Sequence, residues 1–318
     1  MNNFSTISVE NAHNVASCAT LAALLEVSAY PKPGNVHRTR DFEDTKYEHF
    51  LAAAVAIYPA LFRAAQAPIE DLYPESQPDL LGTVILEATR HTQEWQSGGN
   101  VNFGEILLFS PIAIAAGLCI KAGERELDQF RIQVSDVVHR ATIQDAAFTY
   151  QAFQAAPVGN LGSRERFDVM NPDAVNEILA DKMTFWDCFM LNPDTDDISA
   201  ELTGNYARTF GEGLPHLAFE LDEGAQSNAA IVNTFLYLLG NKPDSFIARK
   251  VGLERAQEVQ KKAQETFAQG GMKSEEGIAD VNALDEELQK AGGKLNPGTT
   301  ADILGATLFV ACLCGFRP

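Results

Sequence analysis

The sequence predicts an all-α protein: a single compact bundle of about ten to twelve helices, with residues 1–318 forming one domain. Three observations predict it. Apolar residues recur at spacings of three and four along most of the chain, the period of a half-buried helix. Almost no stretch alternates β-branched or aromatic residues with polar ones, as a half-buried strand would. Turn-forming residues gather in short clusters between the periodic stretches, and none is long enough for an interdomain linker. A length of 318 residues would accommodate two domains by size alone, but no boundary is visible.

In chain order, the first helix covers residues 12–29 and stops at Pro31-Lys32-Pro33-Gly34. The second covers 43–66. The third, 79–96, lies between a proline-bounded stretch at 74–78 and Ser97-Gly98-Gly99-Asn100. A fourth at 103–122 is almost wholly apolar, and a fifth spans 128–154. Short helices at 173–181 and 184–190 precede Asn192-Pro193-Asp194. The next two cover 199–217 and 225–239 and end before Asn241-Lys242-Pro243. The remainder, at 253–269, 274–290 and 299–314, are separated by Gly270-Gly271 and Asn296-Pro297-Gly298. The polar stretch 157–173 reads as a solvated connection, with a lid over a site as the alternative.

The chain carries 43 acidic and 24 basic side chains, a net charge of −19, with 46% hydrophobic residues to build a large core. The acidic excess repels phosphate backbones and anionic lipid, which argues against nucleic-acid or membrane-surface partners. A polyphosphate ligand would therefore need Mg²⁺ with a local cluster of basic groups or backbone N–H donors. Five cysteines without a CxxC pair encode neither a disulfide framework nor a zinc site, and fit a reduced cytoplasm. Met1-Asn2-Asn3-Phe4-Ser5-Thr6 lacks the basic start of a secretory signal. The most apolar stretches, 106–120 and 303–316, fall short of the roughly 20 residues a membrane helix needs and read as core helices. His13, His49, His91, His139 and His216 lack the spacing of a zinc helix. Residues 133–154, rich in Ala and Val, would pack against another helix or against a second subunit in a homodimer.

Four junctions between loop and helix can carry chemistry. In the first, two prolines and a glycine present Lys32 from a stiff loop beyond the helix carrying Glu26, which suits phosphate binding as well as it suits a plain helix stop. In the second, His37, Arg38 and Arg40 precede Asp41, Glu43 and Asp44, which read either as first-turn carboxylates facing a helix dipole or as oxygen donors for Mg²⁺. The third, residues 97–105, offers Gly99, Asn100 and a helix start where backbone can approach an anion. The fourth, residues 294–302, combines Asn296, Gly298, Thr299 and Thr300 with Asp302 at a helix N-terminus.

In this order the four pieces resemble the triphosphoribosyl-dephospho-CoA synthases, which make the precursor of the prosthetic group of citrate and malonate lyases. The likeness covers most of the chain and lies in Glu26 with Pro31-Lys32-Pro33-Gly34-Asn35-Val36, in residues 41–50 leading to Pro59, and in Gly99-Asn100 with Gly104. It continues through Asp244 with Arg249, Gly270-Gly271, and Asn296-Pro297-Gly298 with Ala301-Asp302-Ile303-Leu304. Where the family typically reads asparagine-threonine-histidine-lysine-glycine, this chain has Asn100-Val101-Asn102-Phe103-Gly104, so a proton donor and a cation are missing. The resemblance implies transfer of the triphosphoribosyl group of ATP to a ribose hydroxyl of 3′-dephospho-CoA, with adenine expelled and Mg²⁺ managing the triphosphate. It assigns Lys32, Arg249 and the Gly298-Thr299-Thr300 turn to phosphate. Pro33, Gly34, Asn35, Arg38, Gly99, Asn100 and Asn296 complete the substrate-binding set. Glu26, Asp44 and Asp302 are left for metal binding and catalysis. The departures leave two alternatives: a nucleotide-processing enzyme using a different acceptor or water, and a non-catalytic nucleotide-binding protein.

Overall fold

The computed structural model describes residues 4–156 and 164–318. Among these residues there is no strand; the only β contacts are isolated bridges, Thr6 with Glu126 and His37 with Arg40. The first half of the chain forms α1 (Ala12–Ser28), α2 (Tyr47–Ala56), α3 (Tyr58–Ile69), α4 (Leu80–Trp95), α5 (Phe103–Ala122), α6 (Leu127–Arg140) and α7 (Ile143–Ala155). The second half forms α8 (Ala174–Asp181), α9 (Phe185–Phe189), α10 (Asp197–Thr203), α11 (Leu214–Asp222), α12 (Ser227–Asn241), α13 (Ser245–Val251), α14 (Leu253–Ala268), α15 (Glu275–Gln289) and α16 (Gly298–Leu313). The all-α class holds, with more segments than expected.

The extra segments have local causes. The stretch 128–154 divides into α6 and α7 because Thr142 and Asp145 form a reciprocal cap. The Thr142 hydroxyl accepts the Asp145 N–H at 3.0 Å, and the Asp145 carboxylate accepts the Thr142 N–H at 2.7 Å. Neither proline nor glycine marks that break. The stretch 199–217 is interrupted where Asn205 and Tyr206 both adopt left-handed backbone, with φ of 56° and 53°. Helix α13 is too short for a periodic signal; it starts because the Asp244 carboxylate accepts the N–H groups of Phe246 and Ile247 at 2.9 and 3.0 Å. Residues 157–163, part of the anticipated connection or lid, lie outside the described residues.

Helices α5 and α16 are buried on every face, and α1, α3, α5 and α16 pack on one another at the centre. By length and composition α5, at 20 residues, and α2 continued by α3, at 23, could cross a bilayer. This corrects the shorter reading of the apolar stretches, which left out the first turn of α5 and the alanine-rich α2. In the fold 83% of the most apolar 18-residue stretch of α5 is buried inside the protein, as in a core helix, whereas the share for α2 with α3 is 50%. Helix α6 packs on α5, and α7 on α4, so the Ala- and Val-rich stretch finds helix partners within the chain. The central packing brings the last turn of α1 to the first turns of α5 and α16, and a large cavity opens there.

Candidate active site

The cavity has a volume of about 1030 Å³. Its walls come from the end of α1 and the loop after it, the 41–45 segment, the turn before α5, part of α7, residues 164–169 and 188–199, α13, and the start of α16. Lys32 and Asp44 line it together with Asp302, which is distant in sequence.

A carboxyl cluster forms its most buried part. Lys32 is 1% exposed, and its ammonium donates to the Glu26 carboxylate and, at 2.8 Å, to the Glu26 carbonyl. The loop that aims it is held by α15. Asp285 Oδ1 accepts the Gly34 N–H at 3.0 Å, its Oδ2 takes His37 Nε2 at 3.2 Å, and Gln289 donates to the Asn35 carbonyl at 2.7 Å. Gly34 has φ of 78°, and a Cβ there would sit 2.8 Å from the Leu295 carbonyl oxygen, so only glycine fits.

Two further acids face this pair. Asp302, just past the first turn of α16, sets its carboxylate against the start of α5, where the Glu105 N–H favours its anion. A Cβ at Gly104 would overlap the Asp302 carboxylate, and a Cβ at Gly305 would overlap Glu105 Oε1, so each helix gives up a side chain to seat the other's acid. Burial, then the charges of Glu26 and Asp302, pushes Glu105 well above the usual carboxylate range, against the pull of Lys32. Burial, then Glu26, Asp244 and Asp196, does the same to Asp302, opposed by the Glu105 N–H. Glu26 is raised by burial and drawn back by Lys32.

Basic and unpartnered groups occupy the rest of the wall. Arg249 pairs with Asp196 at 2.5 Å. Lys250 donates to the Gly293 carbonyl at 3.0 Å and lies 3.9 Å over the Phe246 ring, and burial lowers its pKa. Three buried polar atoms on cavity-lining residues have no hydrogen-bond partner: Glu105 Oε1, Asn296 Oδ1 and Arg249 Nε. Buried polar atoms are normally satisfied, so these are open to a ligand.

Of the site residues anticipated from sequence, Glu26, Lys32, Asn35, Asp44, Asn100, Arg249, Asn296, Gly298, Thr299 and Asp302 line the cavity. Pro33, Gly34, Arg38, Gly99 and Thr300 do not. Gly34 instead shapes the loop. Arg38 stacks 3.8 Å over Tyr30 and donates to Asn228. The Gly99 carbonyl accepts the side-chain amides of Gln93 and Gln96. Thr300 gives its N–H and hydroxyl to Asp244 at 2.7 and 2.8 Å, and Gly298 gives its N–H to the Asn296 carbonyl, so this turn spends much of its donor capacity on the protein.

The expected metal set is divided. Glu26 is taken by Lys32 and Asp302 by the start of α5, whereas Asp44 lies on an exposed segment and acts on Lys250. Among the described residues no three His, Cys, Asp or Glu are arranged to hold a metal ion. Glu105, Lys250 and Asp285 were not singled out by sequence reasoning. A signal for Glu105 existed: it is the last charge before fifteen uncharged residues, 106–120, in a helix with no solvent-facing side to receive it.

Residues 12–316 match the model of the CitG family, described as ATP:dephospho-CoA triphosphoribosyl transferase. The chain is 24% identical over 305 residues to the 2-(5''-triphosphoribosyl)-3'-dephosphocoenzyme-A synthase of Klebsiella pneumoniae, covering 95% of this chain and 91% of that protein. A proposed enzyme of the same name from Vibrio cholerae is 27% identical over 300 residues, covering 93% and 87%. The crystal structure of a proposed triphosphoribosyl-dephospho-CoA synthase from Archaeoglobus fulgidus shares the fold, with a TM-score of 0.61 and 22% identity, over 84% of this chain and 100% of that one. The match runs through α1, whose last turn carries Glu26, and through the start of α16, which carries Asp302. The chain therefore belongs to the CitG family of ATP:dephospho-CoA triphosphoribosyl transferases.

Proposed function

We propose that the protein transfers the 5-triphosphoribosyl group of ATP to 3′-dephospho-CoA or a related cofactor acceptor, with release of adenine. The observation that carries this reading is a single cavity of about 1030 Å³ holding buried carboxyls, two basic side chains at Arg249 and Lys250, and unpartnered polar atoms. Breaking the bond between C1′ and the base develops positive charge on the sugar, which nearby carboxylates stabilise, as in glycoside hydrolysis. Asp302, whose burial and acidic neighbours raise its affinity for a proton, would accept the proton of the attacking hydroxyl. Glu26 holds Lys32 in place and adds negative charge. Lys250 and Arg249 would take the phosphates.

Mg²⁺ bound to the nucleotide supplies neutralisation of the triphosphate. The exposed carboxylates of Asp41, Glu43 and Asp44 on the cavity are hard oxygen donors of the kind a hydrated Mg²⁺ takes, and Asp44 beside Lys250 is the best placed. One observation favours a different acceptor. Phe103 lines the cavity where the family pattern has a lysine, which suits an acceptor carrying less negative charge there.

The test is incubation of the purified protein with Mg-ATP, with and without dephospho-CoA, followed by mass spectrometry. Acceptor-dependent release of adenine supports transfer. Acceptor-independent adenine indicates hydrolysis, and phosphate without adenine overturns the reading.

A further inference from the structure

We propose that Glu105 is the general acid of this reaction, protonating the purine base as it leaves C1′. The inference rests on the transfer reading above. The family pattern places a histidine where this chain has Asn102, and Asn102 cannot replace it. It lies off the cavity wall, buried, with neither polar atom of its side chain hydrogen-bonded. Three residues on, Glu105 lines the cavity, and its Oε1 is buried without a partner.

Geometry locates the proton. Glu105 stands among two other carboxyls, Glu26 and Asp302, and the Lys32 ammonium acts on Glu26 and on Glu105. Glu26 is in direct contact with that ammonium, which keeps it ionised. Asp302 has the Glu105 N–H to favour its anion, against burial and its acidic neighbours, and its carboxylate lies against Gly104. Glu105 has no partner for its buried Oε1, and an unpartnered buried carboxyl is favoured in its neutral form, so the proton rests on Glu105. The groups facing it are Glu26 and Lys32 from α1 and its loop and Asp302 from α16, with Asp244 and Asp196 acting on Asp302 from behind.

The step balances. The bond from C1′ to the base nitrogen breaks and its electron pair goes to the purine, which takes the Glu105 proton and leaves as neutral adenine. The acceptor oxygen bonds to C1′ and gives its proton to Asp302. Transfer of that proton from Asp302 to Glu105 restores the starting state; each acid lies against the helix that carries the other, at Gly104 and Gly305.

The test compares wild type, Glu105→Gln and Glu105→Asp on ATP and on ATP methylated at N7, whose base leaves without needing a proton. With ATP, Glu105→Gln should lower kcat for adenine release by roughly 10²- to 10⁴-fold with little change in KM, and should abolish the fall in rate at high pH. On the N7-methylated substrate it should run within a few-fold of wild type, a rescue that a merely structural role would not give. Glu105→Asp, still an acid, should keep the high-pH limb and so show that the altered site is folded. Equal slowing of Glu105→Gln on both substrates, or no slowing on ATP, overturns the assignment. Failure of wild type to release base from either substrate overturns the transfer reading instead.

Discussion

Asp302 is pulled in two directions, because burial and its acidic neighbours raise its pKa while one backbone N–H at the α5 start favours the anion. Replacing it with Asn keeps the size and removes the base. Asp302→Asn should lower adenine release by roughly 10²- to 10⁴-fold while circular dichroism and melting stay close to wild type. Both Glu105 and Asp302 hold a proton more tightly in the folded chain than in the unfolded one. Their contribution to stability is therefore complete below the ordinary carboxylate range and is lost as pH rises through the raised folded values. Asp145, pushed up to about 6 mainly by burial, adds to the same trend. The melting temperature should fall as pH is raised from the acid side through neutrality, and Glu105→Gln should flatten the curve. A melting temperature that rises over that interval would contradict the assignment. Gly104→Ala, whose Cβ would overlap the Asp302 carboxylate, should cost about 1–3 kcal/mol in urea unfolding, and activity should fall with it.

At the scale of elements, the site exists because the last turn of α1 meets the first turns of α5 and α16, while α15 grips the Lys32 loop from behind. Asp285 satisfies the Gly34 N–H and His37 together, so Asp285→Ala leaves two buried donors without a partner. The expected cost is about 1–3 kcal/mol of unfolding free energy, together with weaker turnover as Lys32 loses its support. Urea titration beside a rate assay checks it. The periodic elements were legible in the sequence because each of the long helices has an apolar stripe or is apolar throughout. The break at Ala141 was hidden because its signal, Thr142 with Asp145, lies inside a continuous helical pattern. Helix α13 was missed because its seven residues are too few for a period, although Asp244 was there to start it.

For the whole molecule, a net charge of −19 works against an anionic substrate, so the few cations on the cavity carry much of its recognition. Lys250→Ala should raise KM for ATP by about 10- to 100-fold, the worth of a hydrogen bond to a charged group, with a much smaller change in kcat. Steady-state kinetics decides it, and a KM within twofold of wild type would remove Lys250 from phosphate binding. The sequence by itself determined the helical class, the core helices, and the loop and helix-start residues from which the site is drawn, because these follow from periodicity, turn chemistry and short-range spacing. Only the tertiary structure decided which of those residues share a wall. It turned Lys32 inward to Glu26 and spent Thr300 on Asp244. It also carried Asp44 away from the carboxyls it had been grouped with, and gave Glu105 its acidic neighbours. Such outcomes depend on how helices distant in sequence pack, and burial and charge pairing between them, rather than residue type, set what each group can do.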